Sequence, residues 1–276
     1  MRQTTGAMIC PHCGKLIGVN EPQCPFCGTR NPSLFGYAPA LQRLFGRELE
    51  FSGSVTVTCV ILYVISLALQ PEAIFQMRGF LDFLAPGSRA LFQLGMTNRD
   101  VLMEGWWWTL FTAVFLHGSV LHIFFNMLWV RNLGPGVTSV YGPARAFVIF
   151  MLSGAIGFLV SDLASGHPSI GASGGIFGLL AALIVYGRKR GISTLTAQLW
   201  QYAILMFAMG FLMSGVNNWA HAGGFGGGWV VATLLPLDDE KRESPLVQLF
   251  AVALILVTLG GVVASFVQVT GILMGH

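Results

Sequence analysis

Residues 171–187 read Gly-Ala-Ser-Gly-Gly-Ile-Phe-Gly-Leu-Leu-Ala-Ala-Leu-Ile-Val-Tyr-Gly, an apolar stretch with one hydroxyl, Ser173, near its head. Five glycines and three alanines leave little bulk for contact with lipid, but they let neighbouring backbones approach closely. The stretch therefore predicts a short central helix sheathed by protein. A second segment, Ala220-His221-Ala222-Gly223-Gly224, repeats the pattern with an imidazole where the first has a hydroxyl.

The whole chain agrees with a membrane setting. Hydrophobic residues make up 54% of the 276 residues, charged residues only 10%, and the mean hydropathy is +0.69. So much apolar surface exceeds what a water-soluble core of this size buries. A spanning helix needs about 20 apolar residues, and such windows fall near 54–70, 108–130, 144–163, 172–187, 196–213, 218–235 and 246–268. The expected fold class is an all-α polytopic membrane protein with seven spans: a six-helix core over 53–235 and, within 236–276, a loop and a seventh helix.

Cytoplasmic loops retain Lys and Arg. With the N-terminus inside, the inner segments hold Arg2, Lys15, Arg30, Arg43, Arg47, Arg131, Arg145, Arg188, Lys189, Arg190, Lys241 and Arg242, and the outer ones only Arg78, Arg89 and Arg99. Twelve against three predicts a cytosolic N-terminus and, after seven spans, an external C-terminus. The net charge of +3 is then a topology signal and carries no nucleic-acid footprint. Residues 1–50 are mixed and polar, so no cleaved leader is expected, and the compact loops suit a bacterial inner membrane.

Polar residues inside the spans gather at one depth. His117, His122 and Asn126 fall in the second span, Ser173 in the fourth and His221 in the sixth. With the N-terminus inside, the even-numbered helices all start at the outer face, and each of these residues lies early in its helix. Five polar groups in the outer half of a bilayer cost roughly 0.5–2 kcal/mol each when unpaired, and intramembrane ionisable groups are functional candidates by default. Alone, Ser173 reads as a packing residue bonded back to its own helix, and His221 as an interhelical hydrogen bond. Together, and flanked by Gly174, Gly175 and Gly178 on one side and Gly223, Gly224, Gly227 and Gly228 on the other, they read as a nucleophile and its base on closely approached helices. His122 and Asn126 are four apart, hence on one helix face, and can donate to a developing oxyanion beside the Ser173 N–H. His117 lies about 140° away on the same helix and is read as a structural brace of the outer loop. No carboxylate is placed to orient His221; Asp162, the one acid near the outer end of a span, reads equally as interfacial.

These motifs resemble those of the rhomboid intramembrane serine proteases: G-x-S-G in the fourth helix (Gly171-Ala172-Ser173-Gly174), A-H-x-G-G in the sixth (Ala220 to Gly224) and H-x-x-x-N in the second (His122 to Asn126). The likeness covers about 54–235. It implies that Ser173 is the nucleophile, His221 the general base, and His122 with Asn126 the oxyanion hole, with Gly171 and Gly174 supporting them. It also implies that Phe177 packs on the catalytic imidazole and that the substrate is a transmembrane helix of another protein, cut near the outer face without a catalytic cofactor. Many members carry Trp-Arg before the second helix; here Trp106-Trp107-Trp108 stands there, which puts the anchoring of the outer loop in question. A catalytically inactive relative that binds membrane helices is the alternative, and retention of all four polar residues argues against it. A transporter fits less well, because inverted repeats and midplane acidic pairs are missing from the sequence.

Water must reach such a site. Ser214, Asn217 and Asn218 form a polar loop that is expected to cap the cavity and move aside, and helix five, ending Phe207 to Met213, suits either a lateral gate or plain lipid-facing packing. Within the outer segment 71–105, Phe80, Leu81, Phe83, Leu84, Leu91 and Phe92 have helical periodicity without spanning length, and are expected to lie in the outer leaflet beside that gate.

The N-terminal 30 residues are a separate module. Cys10-Pro11-His12-Cys13-Gly14 and Cys24-Pro25-Phe26-Cys27-Gly28 are two knuckles whose four thiolates suit one tetrahedral, structural zinc site. Two disulfides compete with that reading, but a cytosolic location disfavours them. His12 reads as exposed, and Cys59, in the first span, as a packing residue. Residues 31–52, with Pro39, Arg43 and Arg47, read as a linker with a short amphipathic piece on the inner membrane surface. The ribbon either docks a cytosolic partner or is a stable cap with no separate activity.

Overall fold

The computed structural model describes residues 4–10, 14–33, 51–75, 83–212, 215–239 and 243–275. Cys13 and His12, the linker piece with Pro39, Arg43 and Arg47, Phe80 and Leu81, and Ser214 lie outside the described residues. The chain forms two compact units, Met1–Ser54 and Val55–His276.

In the first unit, β1 (Ala7–Ile9) and β2 (Leu16–Gly18) pair antiparallel, with Met8 opposite Ile17. Met8, Cys10, Ile17, Val19 and Cys24 make its small core.

The second unit is an all-α, integral multi-pass membrane architecture. Its long helices are α1 (Phe51–Leu69, which begins at the end of the first unit's range), α5 (Val120–Tyr141), α6 (Pro143–Ala164), α7 (Ser173–Lys189), α8 (Ser193–Leu212), α9 (Asn218–Leu234) and α10 (Pro245–Met274). Short pieces α2 (Ser88–Gln93), α3 (Arg99–Met103) and α4 (Thr109–Thr112, continued as a 3-10 turn over Ala113–Phe115) lie between α1 and α5. By length and composition α1, α6, α8 and α10 each suffice to cross a membrane. Helices α7 and α9, at 17 residues, are about 26 Å long at 1.5 Å per residue. Thirteen of the 17 residues of α7 are buried, which is how so short and glycine-rich a helix sits in the middle of the bundle.

The second span departs from expectation. A single helix across 108–130 does not form: Thr109–Phe115 and Val120–Tyr141 meet at 94°. The turn is built by Leu116-His117-Gly118-Ser119, where the Ser119 hydroxyl caps α5 by accepting the His122 N–H at 3.2 Å. Hydropathy averages over such a turn. As a consequence Arg131 lies within α5, not beyond it, and His117 precedes the helix on which its angular position was reckoned.

Three helices pack at backbone distance. A Cβ added at Gly224 would sit 2.3 Å from the Gly174 carbonyl oxygen, and one at Gly228 would sit 2.3 Å from the Gly178 Cα. Gly157 of α6 closes on the Ala220 carbonyl in the same way, at 2.5 Å. Gly175 and Gly227 face Phe150 and Ile156 of α6, so the glycines of the two motifs divide between two partners.

At the end of the bundle away from Ser173, the buried Arg145 donates to the Tyr141 carbonyl at 3.0 Å and pairs with Asp238 at 3.4 Å. Its backbone N–H donates to Glu243 at 2.7 Å, and burial holds the Glu243 carboxyl above its ordinary value. The α9–α10 connection is thereby fastened to the start of α6.

Candidate active site and candidate metal centre

Ser173 is the first residue of α7, His221 the fourth of α9, and His122 and Asn126 lie in the first two turns of α5. All four are therefore at helix N-terminal ends, and the glycine contacts decide how near they come. The Ser173 Oγ lies 2.9 Å from His221 Nε2. Hydroxyl donation to Nε2 requires the imidazole proton to be on Nδ1. That Nδ1 is buried and has no hydrogen-bond partner among the described residues. The ring is held instead by stacking: Phe177, one turn along α7, lies 4.6 Å from it at 24°.

The Gly118 N–H donates to His122 Nδ1 at 3.3 Å. With Nδ1 accepting, the neutral ring carries its proton on Nε2. That atom lies against Gly171, where an added Cβ would be 2.7 Å away. Gly171 also has φ of +122°, so this position needs glycine for both its backbone and its space. Its N–H donates to the Ala113 carbonyl at 2.9 Å. Asn126 is buried and spends one amide hydrogen on the His122 carbonyl at 2.8 Å, leaving the other N–H. The Ser173 N–H is among the first groups of α7, which have no partner within their own helix. A hydroxyl on a base at a helix start, whose first N–H groups have no partner within the helix, is an arrangement able to perform acyl transfer.

His117 is fully buried in the turn before α5, its ring 5.0 Å from that of His122 and its Nδ1 3.3 Å from the Phe115 carbonyl. Asp162 does not approach His221: it accepts from the Thr97 hydroxyl at 3.0 Å, and Arg99 donates to the adjacent carbonyls of Asp162 and Leu163. Asn217, expected in a loop that moves aside, is an anchor. Its side chain donates to the hydroxyls of Ser161 and Ser169, and its Oδ1 accepts the Ala220 N–H to cap α9. Within the described part of the outer segment, the stretch around α2 lies on α10 and α4, where Gln93 donates to Thr270 at 3.2 Å and Gly95 packs on Thr112 and Ser265.

With this geometry in view, comparison with known proteins gives a consistent result. The Rhomboid domain family matches residues 104–237. Residues 104–237 are thereby a rhomboid domain. It is 33% identical over 173 residues to Rhomboid protease GluP of Bacillus subtilis (strain 168), covering 60% of this chain and 34% of that protein. RHOMBOID-like protein 5 of Arabidopsis thaliana is 33% identical over 168 residues, 57% of this chain and 53% of that protein. RHOMBOID-like protein 2 of the same plant is 30% identical over 204 residues, 65% of this chain and 63% of that protein. The chain thus spans between about a third and two thirds of the length of these relatives.

In the N-terminal unit, Cys10, Cys24 and Cys27 bring their sulfurs within 4.8 Å of one another. Gly14 and Gly28, at φ of +70° and +75°, close the two knuckles by donating to the carbonyls of Cys10 and Cys24, each at 2.9 Å. Cys10 and Cys27 are 3.8 Å apart, too far for a disulfide. Tetrahedral thiolates at about 2.3 Å from zinc are themselves about 3.8 Å apart, so the three described thiols fit that ion. This cluster could bind a metal.

Proposed function

We propose that the protein is an intramembrane serine endopeptidase that cuts transmembrane segments of other membrane proteins near their outer ends. The observation that carries the reading is the 2.9 Å contact between Ser173 Oγ and His221 Nε2 on two 17-residue helices, of which α7 is buried along thirteen of its residues. Ser173 attacks the scissile carbonyl carbon as its proton passes to His221. The oxyanion takes hydrogen bonds from His122 Nε2–H, the free Asn126 N–H and the Ser173 N–H. Collapse breaks the C–N bond, and His221 returns the proton to the leaving amine. Water, deprotonated by the same imidazole, then hydrolyses the acyl-serine. With no partner for His221 Nδ1 among the described residues, Phe177 is left to fix the ring.

Entry from the side is proposed through α8. Only Leu199, Ala203 and Gly210 are buried along its 20 residues, and near the site it meets α7 through the edge of Phe207 on Phe177 at 6.5 Å. The N-terminus is proposed to be cytosolic and the C-terminus external, in a bacterial inner membrane. The protease core would occupy 53–235, followed by the loop and seventh helix of 236–276. The head, residues 1–30, would be joined by the linker 31–52 and would hold one structural zinc on Cys10, Cys13, Cys24 and Cys27, with a cytosolic protein as a candidate partner. One zinc per chain, lost in Cys24→Ser, is the expected metal analysis.

The test of the reading is a comparison of new N-termini in membranes expressing wild type or Ser173→Ala. Ser173-dependent cleavage inside transmembrane segments is expected. A wild type that produces none would leave helix binding without hydrolysis as the better reading.

A further inference from the structure

Helix α10 is more than an added span. Its buried positions, Ala251, Leu254, Thr258, Gly261 and Ser265, recur every three or four residues and form one stripe. Two of them receive the segment that leads into the site. Gly261 lies under Thr112 and Trp108, with room for no Cβ: one would meet Thr112 Cγ2 at 2.9 Å and Trp108 Cβ at 3.0 Å. The fully buried Ser265 hydroxyl accepts the Trp108 Nε1–H at 3.0 Å. Next to it, Thr112 donates to the Gly95 carbonyl at 2.7 Å, which closes the outer loop against the same face.

The residues just beyond Thr112 hold the candidate site. Ala113 accepts the Gly171 N–H, two residues before Ser173. Val114 fills the space beside Gly154 of α6, and Phe115 packs edge-on against Phe150, 6.3 Å between ring centroids. Gly118 then supplies the hydrogen bond that sets the His122 tautomer. Residues 108–118 are thus one short lever, fastened to α10 at one end and to the serine loop and the oxyanion histidine at the other.

We propose that Ser265 and Trp108 are positioning residues for the active site, so that the seventh helix takes part in setting the distance between Ser173, His221 and the oxyanion donors. The inference rests on the protease reading above. It also explains how a chain without the arginine carried by many relatives at this place anchors its outer loop: the indole N–H is held by a helix that a six-helix core does not have.

The experiment uses the full chain in detergent and a fluorophosphonate probe, measuring the limiting rate of Ser173 modification and the half-saturating probe concentration per folded molecule, with thermal stability alongside. Misplacement of reacting groups by as little as 1 Å costs up to about 100-fold. Ser265→Ala and Trp108→Phe, which keeps an aromatic ring but removes the indole N–H, are each expected to lower the limiting rate about 10-fold or more at an unchanged half-saturating concentration. The double variant is expected to lose no more than the worse single one, because both remove one contact. Limiting rates within twofold of wild type, with only a lower melting temperature, would overturn the proposal and leave α10 a purely structural addition. So would multiplicative losses in the double variant. Failure of the wild type itself to label would instead remove the protease reading, and this inference with it.

Discussion

Helices α8 and α9 both flank α7, yet glycine-rich α9 is locked to it by backbone contact and α8, with one glycine, meets it through side chains. Along α9, Gly224 and Gly228 put backbone on the backbone of α7, and the approach is near enough that one methyl group at Gly224 would collide with a carbonyl. Along α8 the contacts are aromatic edges: Phe207 on Phe177, Tyr202 on Trp129, Trp200 on Phe225. Backbone contact between glycines has no side-chain rotamer to yield, whereas ring edges can slide. In the proposed reading the fixed pair carries the chemistry, and the loose helix is left to move.

Breaking the fixed side should cost most. Gly224→Leu must push α9 from α7, and with it His221 from Ser173; loss of fluorophosphonate labelling is expected, along with about 1–3 kcal/mol of stability from overpacking. Asn126→Ala keeps the packing but removes the proposed oxyanion donor, and should lower kcat about 100- to 1,000-fold with little change in melting temperature. The loose side should respond differently. Phe207→Ala is expected to cost less than about 1 kcal/mol, as for a contact that is half exposed, and to change labelling less than threefold; a loss as large as that of Gly224→Leu would erase the contrast between the two helices. The smallest effect concerns the far end of the fixed side. Glu243 has a raised carboxyl value in the folded protein, so its contribution to stability is greatest below the ordinary carboxylate range and is lost as pH rises through the raised value. Glu243→Gln keeps an acceptor for the Arg145 N–H and should flatten that part of the melting-temperature profile.

Much of this was readable beforehand, for physical reasons that also mark where reading stopped. Six of the seven long helices fall on hydropathy windows because a spanning helix must be apolar over its whole length. The second window failed because Thr109–Phe115 is as apolar as a span but turns through 94° at Gly118-Ser119, whose capping chemistry is local and invisible to an average. Ser173, His221, His122 and Asn126 stood out as polar groups at one depth, and the structure brings Ser173 to His221 and Asn126 to the backbone of His122. Gly154 and Gly157 of α6 did not stand out, since a glycine in an apolar run carries no mark of what it faces. Asn217 looked free because a short polar loop gives no hint that two serines, Ser161 of α6 and Ser169 of the α6–α7 connection, will hold it. The partnership of Trp108 with Ser265, 157 residues away, was out of reach for the same reason.

The central claim is that Ser173 is a nucleophile activated by His221. Its most direct measurement is peptide mapping of the folded protein after treatment with a fluorophosphonate. A single adduct on Ser173, present in wild type and absent in His221→Ala of unchanged melting temperature, is the predicted result. An adduct on another serine, or equal modification of Ser173 without the histidine, would contradict it.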